Sequence, residues 1–446
     1  MTPRRRRWSS TCERPSGATR LVRWSAPIAS HSSSGPRRAD VVGAAGGRDP
    51  FAEDDDQQAL RDLARDVTVR EVLPRAAHGD ETGEPPRVAA KALADADLLR
   101  ITIGEEWGGF GYGDVEASIV LEEVARADVS TAIWCQLTYN GPPRGIEHLG
   151  PPAMRERWLP AVANGEALLS IGITEPDAGS AVHEMRTALR ADGSGYRLNG
   201  YKNYSTLGHV ADGYLVWCRW PGGEGAKGIG AVVVPADRPG VTLTGVHHSM
   251  GVHAATEAEV AFDDVEITPD DVLIAGDPAS TEAFKLLLAH LNHERCGNAS
   301  MCIGAAQGAL EYAVRYLNER VIGGEALAGR QGLQWKLADM AIELESARLL
   351  LRRAVHLAGP GGTPPALETA MAKAAANRAA KFVCDEAMQL LGGYGYSREY
   401  PLERAYRDIR GLCIGAGTIE AQLNYVGSNV VRGRTTTSPA WIEQRF

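Results

Sequence analysis

Glu294 is the residue whose type and spacing point most directly to chemistry. It shares one side of a predicted helix with Leu287, Leu291, Asn298 and Cys302, so the helix would turn its carboxylate inward. No Lys or Arg lies three or four residues away, and a helix-surface ion pair therefore does not explain it. The residue either acts as a general base in a water-poor site or borders a packed face, and we favour the base.

The segment 172–180 combines hydroxyl groups with glycine after a run of branched residues. Thr174 and Ser180 can hydrogen-bond a polar ligand, and Gly179 would let such a ligand approach the backbone. The alternative is a strand followed by an ordinary turn, because Pro, Asp and Gly are also typical turn residues.

The segment 200–206 places an aromatic ring two residues before a hydroxyl group, at Tyr204 and Thr206. If the segment is a strand, alternation puts both side chains on one face, where they could contact a planar ligand. The alternative is a cross-strand pair on a solvated sheet.

Three segments nearer the C-terminus could bind phosphate groups or ligands that approach the peptide backbone closely. The Arg320 guanidinium can pair with two phosphate oxygens, although a cation at a helix C-terminus is an equally good account of it. Gln331 follows a glycine pair, and the glycines of 389–396 would end a helix and leave its backbone open. The segment 414–420 contains Gly415, Ala416 and Thr418.

The elements that must position these residues follow from hydrophobic periodicity. Helical spacing holds from Asp54 to about residue 164 and again after Ser280, whereas short runs of branched residues lie between. The predicted helices include 87–98, 113–127, 152–164, 281–320, 331–358, 365–391 and 417–431; the predicted strands are 168–173, 196–198, 214–218, 229–234 and 258–262.

The order of helices, then strands, then helices contains no alternating βαβ units, so a doubly wound sheet is disfavoured. No GxGxxG sequence stands between a strand and a helix, so the nicotinamide-dinucleotide fingerprint is missing. We therefore predict an α+β chain with an N-terminal helical domain at 51–166, a small antiparallel β-barrel or sandwich at 167–280 and a C-terminal helical domain at 281–446.

Composition narrows the function classes. The 446 residues carry a net charge of −9, which argues against a nucleic-acid partner. No apolar run reaches the roughly 18 residues of a membrane span. Seven scattered cysteines without a CxxC pair favour reduced thiols in a cytoplasmic protein and argue against a metal site.

Residues 1–50 differ from the rest because they begin with four consecutive arginines, are rich in Ser, Gly and Pro, and lack an apolar signal core. The composition resembles an Arg- and Ser-rich transit peptide, which would place the enzyme in the mitochondrial matrix. We favour the alternative of a disordered or dispensable extension, or a start codon placed too far upstream.

Taken together, the segments over residues 55–435 resemble the acyl-CoA dehydrogenase family of flavoproteins in their order and spacing. The most specific match is 389–408, where Pro401, Arg404 and Asp408 follow the glycines. The resemblance implies a C-terminal four-helix bundle and FAD-dependent α,β-dehydrogenation of an acyl-CoA or acyl-carrier thioester to the trans-2-enoyl thioester. It also implies an electron-transferring flavoprotein as electron acceptor and a homotetramer.

The resemblance also assigns binding residues, although three family positions differ, at Ala181, Leu207 and Gly323. It puts Arg320 and Gln331 against the FAD of a neighbouring subunit, and Ser180, Arg295 and Gly415 against the substrate. The residues that it assigns to FAD are Ile173, Thr174, Gly179, Ser180, Tyr204, Thr206, Arg320, Gln331, Gln389, Gly392, Gly393 and Thr418.

The usual catalytic Glu of the family is replaced here by Ala416. A subgroup that includes isovaleryl-CoA and long-chain dehydrogenases carries its base immediately before an Arg on the first long C-terminal helix, where this chain has Glu294 and Arg295. The resemblance therefore implies Glu294 as base, with the Ala416 backbone N–H donating to the thioester oxygen. Two alternatives stay open: a related flavoenzyme of monooxygenase or desulfinase type, and a non-catalytic subunit of a mixed oligomer.

Overall fold

The computed structural model describes residues 52–359 and 361–434, so the predicted extension 1–50 lies outside the described residues. The first part is helical, and its first helix begins with a capping box in which Gln57 N donates to Asp54 Oδ1 at 2.8 Å. The helices are α1 (Asp55–Val67), α2 (Leu73–Thr82), α3 (Arg87–Asp95), α4 (Asp114–Ala125), α5 (Val129–Tyr139), α6 (Pro142–Leu149) and α7 (Pro152–Ala163).

A sheet of eight strands forms the middle of the chain, in the order β6-β7-β3-β2-β4-β5-β8 with β1 beside β4. Most pairs are antiparallel, as predicted, but β1 and β2 run parallel to β4. The strands are β1 (Leu169–Gly172), β2 (Ala188–Asp192), β3 (Gly195–Thr206), β4 (Gly213–Arg219), β5 (Ile229–Pro235), β6 (Val241–Val246), β7 (Glu257–Ile267) and β8 (Val272–Ile274).

The last part is a helical bundle in which α10 packs against α8, α9 and α13. A short hairpin of β9 (Val321–Ile322) and β10 (Glu325–Ala326) joins α8 to α9. The helices are α8 (Glu282–Glu319), α9 (Gln331–Ala358), α10 (Ala366–Leu391), α11 (Gly393–Tyr396), α12 (Pro401–Leu412) and α13 (Ile419–Val431).

The three-part architecture predicted from the sequence is confirmed, but the periodicity did not reveal helices α5, α6, α11 and α12, strands β2, β6 and β8, or the β9–β10 hairpin. The reason is clearest for α5, all of whose residues are buried, so that it has no polar face to mark a helical period. Within the described part of the chain, no helix is both long and apolar enough to cross a membrane.

The site is positioned where the three parts meet. One apolar cluster joins the N-terminal helices to the bundle, and a second joins α6 and α7 to one face of the sheet and to Leu287 of α8. Because α8 takes part in both clusters, its inner side is fixed against the N-terminal helices and the sheet.

Candidate active site

Glu294 lies in α8, on the inward side predicted for it. Leu287, Asn298 and Cys302 on the same stripe are all buried. The peptide carbonyl of Glu294 accepts a hydrogen bond from Gln136 Nε2 of α5 at 3.1 Å, which ties this turn of α8 to the N-terminal helices.

The Glu294 side chain lines a narrow cavity between α8, the end of α5, α6 and the sheet. The sheet contributes Ile171, Leu215 and Trp217, and these apolar walls leave the carboxyl little to replace its hydration. Burial raises the pKa of Glu294 to about 7, against a smaller opposing effect of Arg295. The carboxyl is therefore water-poor and lies at the wall of this cavity.

Arg295, the next residue, holds the loop that contains Ala416. Its Nε donates to the Ala416 carbonyl at 3.2 Å, and its Nη1 donates to Asn292 Oδ1 at 2.9 Å. Ala416 has a φ of 54°, so its backbone lies in the left-handed region. Among the described residues, the Ala416 N–H has no hydrogen-bond acceptor, and it therefore remains free to donate to a ligand.

A buried lysine fixes the same loop from the other side. The Lys373 Nζ donates to the Gly417 carbonyl at 2.7 Å and, at 3.4 Å, to the Leu412 carbonyl, which Asn298 also binds. Burial lowers the pKa of Lys373 to about 8. Sequence reasoning missed this residue, although a lysine flanked by alanines in the stretch 370–376 marks a charge that needs a buried partner.

Glu420 provides a contrast with Glu294. It is exposed at the start of α13, and hydrogen bonds from its own backbone N–H and from Thr418 lower its pKa. The Thr418 Oγ1 also accepts from Ala421 N at 3.2 Å and so caps the helix. Glu420 is thus a weak base in water, and the predicted FAD ligand Thr418 has a local structural role. Gly415 is exposed beside them.

The loop after β1 is tied to β3 by a buried ion pair. The Lys202 Nζ donates to Glu175 Oε1 at 2.8 Å and to the Ile173 carbonyl at 2.9 Å. This pair leaves Thr174 half-buried, and Ser180 and Gly179 exposed at the surface. A Cβ built on Gly179 would meet nothing within 4 Å, so the backbone there is open to a ligand.

Tyr204 and Thr206 share one side of β3, but regular alternation is not the reason. The pairing of β3 with β7 shifts between Lys202 and Ser205, and Tyr204 has a φ of 57°. Its side chain is 55% exposed and its ring stacks on His247 with centroids 4.8 Å apart. Ser205 between them is buried, so Tyr204 and the half-buried Thr206 both face away from the core.

Thr206 has a neighbour that the sequence reasoning did not consider. Glu257 pairs with it across β3 and β7, and the nearby Thr206 hydroxyl acts to lower the pKa of the Glu257 carboxyl. Burial nevertheless raises the pKa of Glu257 to about 8. The predicted ring-and-hydroxyl surface therefore adjoins a carboxyl that is largely protonated at neutral pH.

The remaining predicted ligands lie at exposed turns of the bundle. Arg320 follows α8 and Gln331 begins α9, and the hairpin between them is closed by Leu327 N donating to the Arg320 carbonyl at 2.8 Å. Gln389, Gly392 and Gly393 lie at the end of α10. In the part of the chain that the structure describes, no hydrogen bond or ion pair joins these residues to Thr174, Ser180, Tyr204 or Thr206.

These residues fit a flavin dinucleotide. An exposed aromatic ring stands beside hydroxyl groups, and the backbone is open at Gly179, Gly392 and Gly393, where an added Cβ would meet nothing. The Arg320 guanidinium is exposed and has no ion-pair partner among the described residues, so it can pair with phosphate.

Family models match most of the chain. The acyl-CoA dehydrogenase N-terminal domain matches residues 54–166, the middle domain residues 170–265 and the C-terminal domain residues 284–431. "Probable acyl-CoA dehydrogenase YngJ" of Bacillus subtilis is 34% identical over 368 residues, 82% of this chain and 96% of the relative. The mitochondrial short-chain specific acyl-CoA dehydrogenase of Mus musculus is 35% identical over 378 residues, 84% of this chain and 90% of the relative.

Solved structures agree with the sequence relatives. Butyryl-CoA dehydrogenase from Megasphaera elsdenii superposes with a TM-score of 0.81 at 31% identity, covering 86% of this chain and 100% of that structure. A glutaryl-CoA dehydrogenase from Mycobacterium smegmatis in complex with FADH2 superposes with a TM-score of 0.79 at 27% identity, covering 86% and 97%.

Proposed function

The chain belongs to the acyl-CoA dehydrogenase family and is an oxidoreductase that acts on the CH–CH bond of acyl-CoA, and we propose that Glu294 is the base that removes the α-proton. The observation that carries the proposal is the setting of its carboxyl, which lines an apolar cavity and has its pKa raised to about 7. A base whose pKa lies near the working pH combines a large deprotonated fraction with useful proton affinity. Exposed Glu420, with its lowered pKa, is ionised at neutral pH but has a lower proton affinity than such a base.

The Ala416 loop supplies the second part of the mechanism. As the α-proton leaves, negative charge develops on the thioester oxygen, and a backbone N–H held in place stabilises it. The Arg295 and Lys373 hydrogen bonds to the loop carbonyls fix that N–H before substrate binds, so little reorganisation is needed. The side chain missing at Ala416 removes the usual base and leaves this donor intact.

The family is FAD-dependent, and we assign FAD binding in this chain to the residues around Thr174, Ser180, Tyr204 and Thr206. When bound, FAD supplies the acceptor for the hydride that leaves the β-carbon. The ring of Tyr204 offers a planar contact, and the hydroxyl groups can donate to polar edges of the ligand. The Lys202–Glu175 pair keeps the two segments together without contacting the ligand itself.

We assign five residues to the FAD of a second subunit: Arg320, Gln331, Gln389, Gly392 and Gly393. The enzyme is then an oligomer, and we propose that it is a homotetramer. Their exposure and the lack of hydrogen bonds to the Tyr204 region in the described chain support a shared site. A row of exposed apolar residues on α9 supports it independently, since Trp335, Ile342 and Leu349 recur every seven residues on one side of the helix.

The acyl carrier and the electron acceptor complete the proposal. We assign CoA rather than an acyl-carrier protein as the bearer of the thioester and an electron-transferring flavoprotein as the acceptor, on the strength of the family. The six cysteines of the described residues are free and buried, which agrees with a reducing compartment, and we place the enzyme in the cytoplasm.

The test is an anaerobic mixture of the yellow holoenzyme with a panel of acyl-CoAs. Dehydrogenation should bleach the flavin, release trans-2-enoyl-CoA and, with an artificial acceptor, turn over. If the flavin stays oxidised with every acyl-CoA, while the enzyme consumes oxygen in the presence of an added reductant, the proposal is contradicted and a monooxygenase is indicated instead. Purification without any flavin would indicate a non-catalytic subunit.

A further inference from the structure

Tyr204, whose ring we assign to the flavin, is held in an uncommon backbone conformation. Its φ of 57° lies in the left-handed region, which is costly for a residue with a bulky side chain. The side chain is 55% exposed, so burial in the core does not hold it there. Such a conformation persists only where neighbouring groups over-determine it, and the contacts around Tyr204 show which groups do so.

Asn203 fixes the backbone at this point. Its peptide N–H donates to the Thr174 carbonyl at 2.8 Å, which joins β3 to the loop after β1. Its side-chain Oδ1 accepts from the Tyr204 N–H at 3.2 Å and lies 2.7 Å from His247 Nε2. Because a peptide N–H can only donate, the atom that faces both groups is the amide oxygen, and His247 Nε2 must carry the proton that it donates.

The His247 ring is held from three sides. It stacks on the Tyr204 ring with an interplanar angle of 19° and centroids 4.8 Å apart. Besides its contact with Asn203, its Nε2 lies 3.4 Å from Glu259 Oε1. Glu259 is itself fixed, because the Tyr201 hydroxyl donates to its other carboxylate oxygen. The position of the His247 ring is thus determined by groups of β3 and β7, and not by the Tyr204 contact alone.

The main chain of His247 is fixed as well. Its N–H donates to the Glu257 carbonyl at 2.9 Å, and its carbonyl accepts from the Thr256 hydroxyl at 2.7 Å. The next residue, His248, is exposed, and among the described residues its side chain has no hydrogen bond, ion pair or ring contact. Of these two adjacent histidines, only His247 is therefore built into the surface that carries Tyr204.

We propose that His247 is a positioning residue for the flavin, which supports one face of the Tyr204 ring and leaves the other face to the isoalloxazine. A stacked ring that keeps 55% of its surface exposed has a face available for a second planar group. With His247 in place, the Tyr204 ring is already ordered before FAD binds, so binding costs less conformational entropy. The inference rests on the proposed function, because it takes Tyr204 as a contact of FAD.

The experiment is a double-mutant cycle on FAD affinity. The purified holoenzyme is equilibrated by dialysis against a series of FAD concentrations, and the dissociation constant follows from the flavin absorbance that stays with the protein. The cycle compares wild type, His247→Ala, Tyr204→Ala and the double variant, and His248→Ala is the matched control. Circular dichroism of each protein shows whether the fold is kept.

His247→Ala should weaken FAD binding by about fivefold to tenfold, the usual worth of an aromatic pair, and His248→Ala should bind FAD like wild type. In the Tyr204→Ala background, the His247 substitution should change the affinity by less than about twofold, because no ring is left to support. A merely structural role of His247 would give the same loss in both backgrounds. If His247→Ala does not fold, Asn203→Ala, which removes the acceptor that holds the His247 ring, is put through the same cycle with the same expectation.

Equal FAD affinity in His247→Ala and His248→Ala would overturn the inference, provided that Tyr204→Ala binds FAD more weakly than wild type. A loss from His247→Ala that persists undiminished in the Tyr204→Ala background would also overturn it. Failure of the proposed function looks different. A wild-type protein that binds no FAD, or a Tyr204→Ala variant that binds FAD as tightly as wild type, would contradict the assignment of Tyr204 to FAD, and the inference would fall with it.

Discussion

Glu294 lies within the long helix α8, and Arg320 directly follows the end of that helix. The two side chains differ in their exposure to solvent. The Glu294 carboxyl lines a cavity bounded by α5, α6, α8 and the sheet, all within one chain. The Arg320 guanidinium is exposed, and no partner for it lies among the described residues. The proton-transfer region is therefore assembled by folding, whereas the Arg320 surface needs another molecule.

The difference shows in how each region uses hydrogen bonds. Near Glu294, the side chains of Arg295, Lys373 and Asn298 all donate hydrogen bonds to backbone carbonyls or neighbouring side chains. The geometry of this region is therefore fixed before a ligand binds. Around Arg320, the hairpin fixes only its own backbone. Substitutions near Glu294 should consequently alter rates, and substitutions near Arg320 should alter affinity and assembly.

The largest effect is expected from Glu294→Gln. The amide keeps the shape but cannot take a proton, so flavin reduction by acyl-CoA should slow by about 10² to 10⁴, with FAD content and ligand binding retained. Rapid-mixing absorbance of the flavin measures the rate. Glu420→Gln, the same change at an exposed carboxyl, is the control and should react near the wild-type rate; the opposite ranking would transfer the role of base to Glu420.

Arg320→Ala should weaken FAD binding by about 10- to 100-fold, the worth of losing charge-assisted hydrogen bonds to phosphate. The rate of flavin reduction in the remaining holoenzyme should change little, because the base region is complete without Arg320. Arg330→Ala is the matched control, since that guanidinium donates to the Ile322 carbonyl of the same hairpin at 3.1 Å. Equal loss of FAD in the two variants would contradict the assignment of Arg320 as an FAD ligand.

The pH dependence separates the two regions further. Glu294 must be deprotonated to act, and its pKa is about 7, so the rate of flavin reduction should fall by about tenfold for each unit of pH below that value and level off above it. FAD affinity should vary much less over the same range, because Glu294 is not among the residues assigned to FAD. A rate that rises toward acid would contradict a carboxylate base.

From the open space at Gly415, beside Ala416, we expect a smaller effect on the choice between branched and straight acyl chains. An added Cβ at Gly415 would meet only the Gly411 carbonyl at 3.8 Å, so the wall is open where the family commonly carries Tyr. A branched acyl-CoA such as isovaleryl-CoA should react about threefold to tenfold better than butyryl-CoA, and Gly415→Tyr should reverse the order. Equal or better turnover of the straight chain by the wild type would count against this wall as the selector.

The sequence predicted the fold and the inward side of α8 because both depend on periodicity, which is local. It did not predict α5, since burial on all sides hides the helical period of that segment. It also missed α6, which is short and begins with two prolines. Lys373 was missed for another reason. Its role depends on hydrogen bonds to the Leu412 and Gly417 carbonyls, about forty residues further along the chain.

Two predictions at the flavin surface show the same limit. Tyr204 and Thr206 do share a face, but through a shifted pairing and a left-handed residue rather than simple alternation. Thr418 was assigned to FAD from the resemblance, and the structure gives its oxygen a helix-capping hydrogen bond. Residue roles on FAD remain predictions, because each depends on where a ligand and a second subunit lie.

The smallest expected effect is on stability, and it tests whether the buried base is costly to the fold. Glu294 has a pKa near 7 when folded and an ordinary Glu pKa of about 4.5 when unfolded, so the folded state binds more protons between these values. Stability from this group is therefore present below about pH 4.5, falls as pH rises, and is fully lost above about 7. Because the Gln amide does not ionise, Glu294→Gln should not show this fall in stability as pH rises. Relative to wild type, the variant should gain roughly 1 to 2 kcal/mol in the free energy of unfolding between pH 5 and pH 8, measured by chemical denaturation.

Glu420→Gln should behave in the opposite sense, because the folded pKa of Glu420 is lowered by its hydrogen bonds at the start of α13. Its carboxylate stabilises the fold above its unfolded pKa, and that contribution disappears as pH falls. The Gln variant should therefore be the less stable protein at pH 8 and match wild type in acid. Opposite signs for the change in the free energy of unfolding would show that the ionised Glu294 destabilises the fold, as a catalytic group can, while the ionised Glu420 stabilises the start of α13. The same sign for both would mean that Glu294 is no more strained than a surface residue, and its assignment as a base poised near neutral pH would fail.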